Sequence, residues 1–178
     1  MFNHSLLKKY DIEYDEKYPL AQDYRMWVSC SEVAECTNLP ETLLYYRVHN
    51  KAVSNVKKEQ QRNIALQIMQ EQLKKIGLDL TDEYSEIHRD FIFSRKPYDL
   101  KINSWIKKII EHNKIHRVYN QKKLEKTLWN KWAESVYFEL FKAKGLGKIK
   151  VLLTLPIRYY PELIKIRKHR KKLRQKEC

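Results

Sequence analysis

KEQQRNIALQIMQEQLKKIG, residues 58–77, decides the fold class. Ile64, Ala65, Ile68, Met69, Leu73 and Ile76 recur at the spacing of one helix face, and Gly77 stands where such a helix is expected to stop. The pattern repeats down the chain. Thr81, followed by Asp82 and Glu83, predicts a helix start running to about Phe93. Residues 100–116 place Ile102, Trp105, Ile106, Ile109 and Ile110 on one face, and Leu124, Leu128, Trp132, Val136 and Leu140 step by four through the next segment. Gly145 and Gly147 are expected to break that helix, Pro156 and Pro161 to interrupt the segment after it, and the basic end to fray.

Toward the amino end the character changes. SLLKKY (5–10) predicts a short helix capped by Ser5, DIEYDEKYP (11–19) a loop closed by Pro19, and QDYRMWVSCSEV (22–33) a helix with Met26, Trp27 and Cys30 on its apolar side. ECTNL (35–39) and TLLYYRV (42–48) predict two short strands, separated by Pro40 and Glu41. Two strands cannot shield a sheet's two faces, so residues 1–56 read as an incomplete α/β piece. Residues 57–141 then form a helical extension and 142–178 a basic amphipathic tail. The expected class is mainly α with a minor β part.

The formal net charge is +14, and it is unevenly placed. Residues 1–60 hold 8 Lys/Arg against 9 Asp/Glu; residues 142–178 hold 13 against 2. The tail, VLLTLPIRYYPELIKIRKHRKKLRQKEC in its last part, therefore calls for an anionic partner, such as a membrane surface or nucleic acid. Nucleic acid is the weaker of these, because no helix-turn-helix, RNA-recognition or zinc-finger signature is present. Cys30, Cys36 and Cys178 are too few and wrongly spaced for a disulfide framework or a zinc site, and a reducing cytosol is the expected setting. No run approaches the ~20 apolar residues of a bilayer span.

The run MFNHSLLKKYDIEYDEKYPLAQDYRMW followed by NLPETLLYYRVHNKAVS resembles the acceptor-side region of family 2 glycosyltransferases of the GT-A fold. The resemblance rests on an ordered set: MF-x-x-S-L-L, the turn Tyr14-Asp15-Glu16, Asp23-Tyr24 ahead of Trp27, N-L-P-E, and Y-R-x-H followed by Ser. A looser likeness extends over residues 100–140. It implies an incomplete GT-A-type acceptor subdomain followed by a helical extension. The implied reaction is inverting transfer from a nucleotide sugar to a saccharide or lipid-linked acceptor, in surface polysaccharide or lipopolysaccharide assembly. The expected location is the cytoplasm, or the inner face of its membrane.

Carried over residue by residue, Asp23 matches the general base. An acceptor hydroxyl is a poor nucleophile, and a carboxylate near the anomeric carbon takes its proton as the bond forms, worth roughly 10²–10⁴-fold. A helix amino-terminus stabilises such an anion, and the competing structural role is a helix cap. Gln22 departs from the family's Glu, so contacts that need that charge are in doubt. His49 matches a ligand of the divalent metal (Mn²⁺ or Mg²⁺) or a diphosphate contact, against a plain surface histidine. Arg47 would neutralise a diphosphate or pair with Glu41; Trp27, Tyr45 and Tyr46 would stack on sugars or fill a core.

No D-x-D pair, which the resemblance requires for the metal and donor, occurs in the sequence. By this reading the chain lacks the nucleotide-binding half and transfers no sugar alone. The alternative is a non-catalytic helical module that docks a partner subunit, an anionic membrane or nucleic acid. His112 and His116, four apart, have metal-clamp spacing but no third ligand; a solvated face is their plainer role.

Overall fold

The computed structural model describes residues 3–45, 56–93, 100–142, 147–153 and 155–176. Eight α-helices are seen in these residues: α1 His4–Lys9, α2 Gln22–Val33, α3 Lys58–Lys75, α4 Asp82–Phe93, α5 Leu100–His116, α6 Gln121–Lys142, α7 Gly147–Leu152 and α8 Tyr160–Lys176, with a 3₁₀ turn Ile157–Tyr159 before the last. The helix-rich expectation holds. The minor β part does not: there is no strand among the described residues. Residues 35–45 are exposed and carry no regular secondary structure, and residues 46–48 lie outside the described ones. An isolated extended segment leaves its N–H and C=O groups without ladder partners, so β-forming residues alone do not make a strand. Without strands, the expected GT-A-type α/β subdomain is absent from the described residues.

Two compact units divide the chain, Met1–Glu71 and Gln72–Cys178. In the first, α1 is capped by the Asn3 side chain, which accepts from the Leu6 N–H at 3.3 Å; Ser5, the expected cap, lies inside the helix. The helix ends on Asp11 at φ 50°, with Ile12 N–H bonded to Leu7 O (3.0 Å) and Asp11 N–H to Lys8 O (3.4 Å). This paired arrangement satisfies the last carbonyls and turns the chain sharply into the acidic loop beyond. Ala21, Met26 and Cys30 carry α2 into the core of this unit, and Leu66 and Ile68 of α3 are buried there as well. Leu66 replaces Ile64, Ala65 and Met69, which are half-buried.

The second unit packs α4 on α5, α5 on α6, and α6 against α7 and α8. Its core runs from Leu73, Ile76 and Leu78 through Phe91, Ile102, Trp105, Ile106 and Ile109 to Trp129, Trp132, Val136, Val151 and Leu155. Gly77 takes φ 74° and ends α3, with Leu78 N–H on Leu73 O (3.0 Å) and Gly77 N–H on Lys74 O (2.9 Å). Pro161 does not interrupt α8: it occupies the first turn, where its missing N–H has no partner to lose. The basic end, expected to fray, continues as helix to Lys176. No described helix is long and apolar enough to cross a membrane.

Candidate functional site

Within the first unit, the loop after α1 faces one side of α2 across a hollow of about 450 Å³. Tyr10, Asp11, Ile12, Glu13, Tyr14 and Asp15 supply the loop wall; Arg25, Ser29, Glu32 and Val33 supply the helix wall. Local chemistry holds the loop. Asp11 tolerates its positive φ because a short polar side chain costs least there after glycine. Asp15 Oδ1 accepts from the Lys17 N–H at 2.9 Å, and Tyr18 N–H reaches back to Asp15 O at 3.2 Å, which closes the turn.

The hollow is acidic. Four carboxylates, on Asp11, Glu13, Asp15 and Glu32, face one guanidinium, on Arg25. That one cation is already engaged: Arg25 Nη1 lies 2.9 Å from Glu71 Oε2 and sits over the Tyr18 ring at 5.2 Å. The Tyr18 hydroxyl donates to the other Glu71 oxygen. This hydrogen bond to the carboxylate, with burial second, raises the Tyr18 phenol above its ordinary range. Burial raises the Tyr24 phenol and the Cys30 thiol. Neither group is a ready nucleophile or acid.

Asp23 lies in the first turn of α2, exposed, with its Oδ1 accepting from the Tyr24 N–H at 2.7 Å. The residue that caps the helix by position is Ala21, without a side-chain bond. Asp23 and Trp27 (59% exposed) stand four apart on the solvent side of α2, and neither is among the residues that line the hollow. Gln22 is half-buried and falls in helical register with Arg25 and Ser29. Arg47 and His49 lie outside the described residues, as does Tyr46. Tyr45 is exposed.

Sequence reasoning singled out Tyr14 and Asp15 as a motif but missed the hollow they line with Asp11, Glu13, Ser29 and Glu32. The acid density of DIEYDE was the available signal. No group of three His, Cys, Asp or Glu among the described residues could hold a metal ion. The four carboxylates of the hollow are thus not grouped to hold one.

His112 is half-buried and His116 exposed, in keeping with the solvated face expected of them, and both also meet the end of α3. Their rings stack with centroids 6.4 Å apart, His112 Nδ1 is 3.3 Å from Ile76 O, and the His116 ring lies against Gly77. They cover the carbonyl end of α3, where donors or positive charge are favourable.

Over 80 residues the chain is 31% identical to a protein of Haemophilus influenzae named as an uncharacterized glycosyltransferase. This chain is related to a glycosyltransferase. The match covers 43% of the chain and 25% of that protein, so the chain spans about a quarter of its relative's length. No protein-family model matches the chain. No solved structure matches it either. The similarity supports a relationship to a glycosyltransferase and no more; family 2, an inverting course and a pathway are finer than it reaches.

Proposed function

We propose that this chain is the acceptor-side part of an inverting, family 2-like glycosyltransferase, and that the hollow between residues 10–15 and α2 receives a saccharide or lipid-linked acceptor. The observation that carries this is the hollow's chemistry. Carboxylates accept from vicinal sugar hydroxyls, tyrosine rings offer flat faces to the C–H side of a pyranose, and the volume suits a small ligand. A nucleoside diphosphate would meet four carboxylates and a guanidinium already bound to Glu71. The donor site, with any Mn²⁺ or Mg²⁺, would be built by other residues of the complete enzyme.

Asp23 is the proposed base. Its carboxylate is exposed on the solvent side of α2 and outside the lining of the hollow, so the reacting hydroxyl of the acceptor would have to extend past the hollow to reach it. As the acceptor oxygen attacks the anomeric carbon, the hydroxyl proton passes to Asp23 and the nucleotide leaves with the bonding electrons. Gln22, in register with the hollow wall, and Trp27, outside it, are proposed to contact the part of the acceptor that extends past the hollow; Arg47 and His49 remain proposals for the diphosphate side.

Titration of the chain with neutral and amino oligosaccharides, followed by amide chemical shifts, tests the reading. Shifts at Tyr10, Tyr14, Ser29 and Glu32 are expected, and Glu32→Gln should weaken them. Binding of a nucleotide sugar in the hollow, with saccharides inert, would overturn the assignment. In the complete enzyme, Asp23→Asn should lower kcat about 10²–10⁴-fold while acceptor binding persists.

A further inference from the structure

Residues 147–176 carry eleven Lys/Arg against a single acid, Glu162. They also hold more aliphatic side chains than the second unit's core takes up. Val151 and Leu155 are buried, and Leu163 and Ile166 pack against the core. Between them the chain leaves Ile149 (54%), Leu153 (76%), Ile157 (80%) and Ile164 (58%) exposed. Large aliphatic groups held in water beside lysines and arginines are unfavourable unless something covers them.

We propose that this segment is a docking face for an anionic lipid bilayer, lying in the interface rather than spanning it. Leu153, Ile157 and Ile164, with Ile149, would enter the acyl boundary, and the basic side chains would meet headgroup phosphates. Exposed Arg167 and Lys168 of α8 are suited to that role. Lys165 and Arg158 are less so, since Lys165 is 2.7 Å from Glu162 and Arg158 is paired with Glu125.

The charge alone would serve nucleic acid equally well; the apolar groups decide between them. Single-stranded nucleic acid is gripped by exposed aromatic rings that stack on bases. Here Tyr159 and Tyr160 pack on the core, and the Tyr160 hydroxyl donates to Leu152 O at 3.0 Å. The side chains that project outward are aliphatic, which fits acyl chains and adds little against a phosphate backbone. The inference concerns other residues than the acceptor reading and stands or falls separately from it.

Co-sedimentation of the full chain with vesicles tests it. Phosphatidylcholine vesicles with about a third phosphatidylglycerol should bind at least ~10-fold more tightly than pure phosphatidylcholine. Arg167→Gln with Lys168→Gln should lower partitioning roughly 25-fold, about fivefold per charge removed. Leu153→Ser with Ile157→Ser, both at exposed positions, should lower it at least ~10-fold with unchanged helix content by circular dichroism. Equal binding to neutral vesicles would overturn the proposal. So would full binding by the serine variant, which would mark simple electrostatic adsorption. Tighter binding of a DNA or RNA oligomer than of the anionic vesicles at the same salt would make nucleic acid the occupant instead.

Discussion

Acid should destabilise the second unit through one side chain, His88. It is 5% exposed, stands edge-on to Trp105, and its Nδ1 accepts from the Trp105 Nε1–H at 3.1 Å. The ring is therefore neutral with its proton on Nε2, an atom buried without a partner among the described residues. Charging it would desolvate a cation and set a second N–H against the indole donor. Burial lowers its pKa from 6.5 to about 4. The folded value lies below the unfolded one, so this contribution is fully present above pH 6.5 and is lost as pH falls toward 4. A 2.5-unit difference corresponds to about 3 kcal/mol in all and about 2 kcal/mol by pH 5. Denaturant unfolding at pH 7.5 and pH 5, followed by tryptophan signal, measures the loss. His88→Gln keeps an acceptor for Trp105 but does not titrate, and the other titrating groups are common to both proteins. The wild type should lose about 2 kcal/mol more than the variant between the two pH values. Equal losses would refute a buried, neutral His88.

Gly77→Ala should cost about 1–3 kcal/mol, mainly because an L side chain is strained at φ 74°; the new Cβ would also displace the exposed His116 ring. Adding His116→Ala should remove that contact and leave the backbone part, roughly 1–2 kcal/mol relative to His116→Ala alone, by thermal unfolding. Asn113 is fully buried and holds the turn into α6 through Tyr119 N–H (2.8 Å), Tyr119 O (2.9 Å) and Gln121 Oε1 (2.7 Å). Asn113→Ala should therefore lose about 2–4 kcal/mol in the same assay, since it strands several buried groups at once. Glu71→Ala should return the Tyr18 phenol toward its ordinary value of 10.0, read by tyrosine ¹³Cζ chemical shifts against pH, because the Glu71 carboxylate is the largest cause of its rise.

The helices were legible because each states its boundaries twice, in apolar spacing and in end chemistry. Gly77 is an example: it breaks the stripe ending at Ile76 and supplies the positive φ that the closing hydrogen bonds need. Pro161 shows the limit of such signals, since the same residue can stop a helix or begin one and only the chain on either side decides. The strand expectation failed for a different reason. Local composition in 35–45 favours extended backbone, but a strand is a pairing between segments and propensity cannot supply the partner. For the site, Asp23 was legible only through the resemblance, and Trp27, expected on the apolar side of α2 with Met26 and Cys30, is instead exposed. The hollow was not legible, because it depends on where the chain goes after Asp11 and so on a turn whose geometry no periodicity encodes.

Charge gives the acceptor assignment its physical footing. A formal −3 arises from the four carboxylates and one guanidinium lining the hollow, and the guanidinium's field is further reduced by Glu71. Two negative charges of a diphosphate about 8 Å from that charge meet a repulsion of about 3 kcal/mol at water's dielectric constant, falling to about 1 kcal/mol at physiological salt. That is a penalty of roughly 5- to 150-fold in affinity before any contact is made. A neutral sugar incurs none of it, and its hydroxyls are donors for those carboxylates. An amino sugar would gain from the same field. Between the two ligands, the proposed acceptor role is therefore the one that this hollow's charge favours.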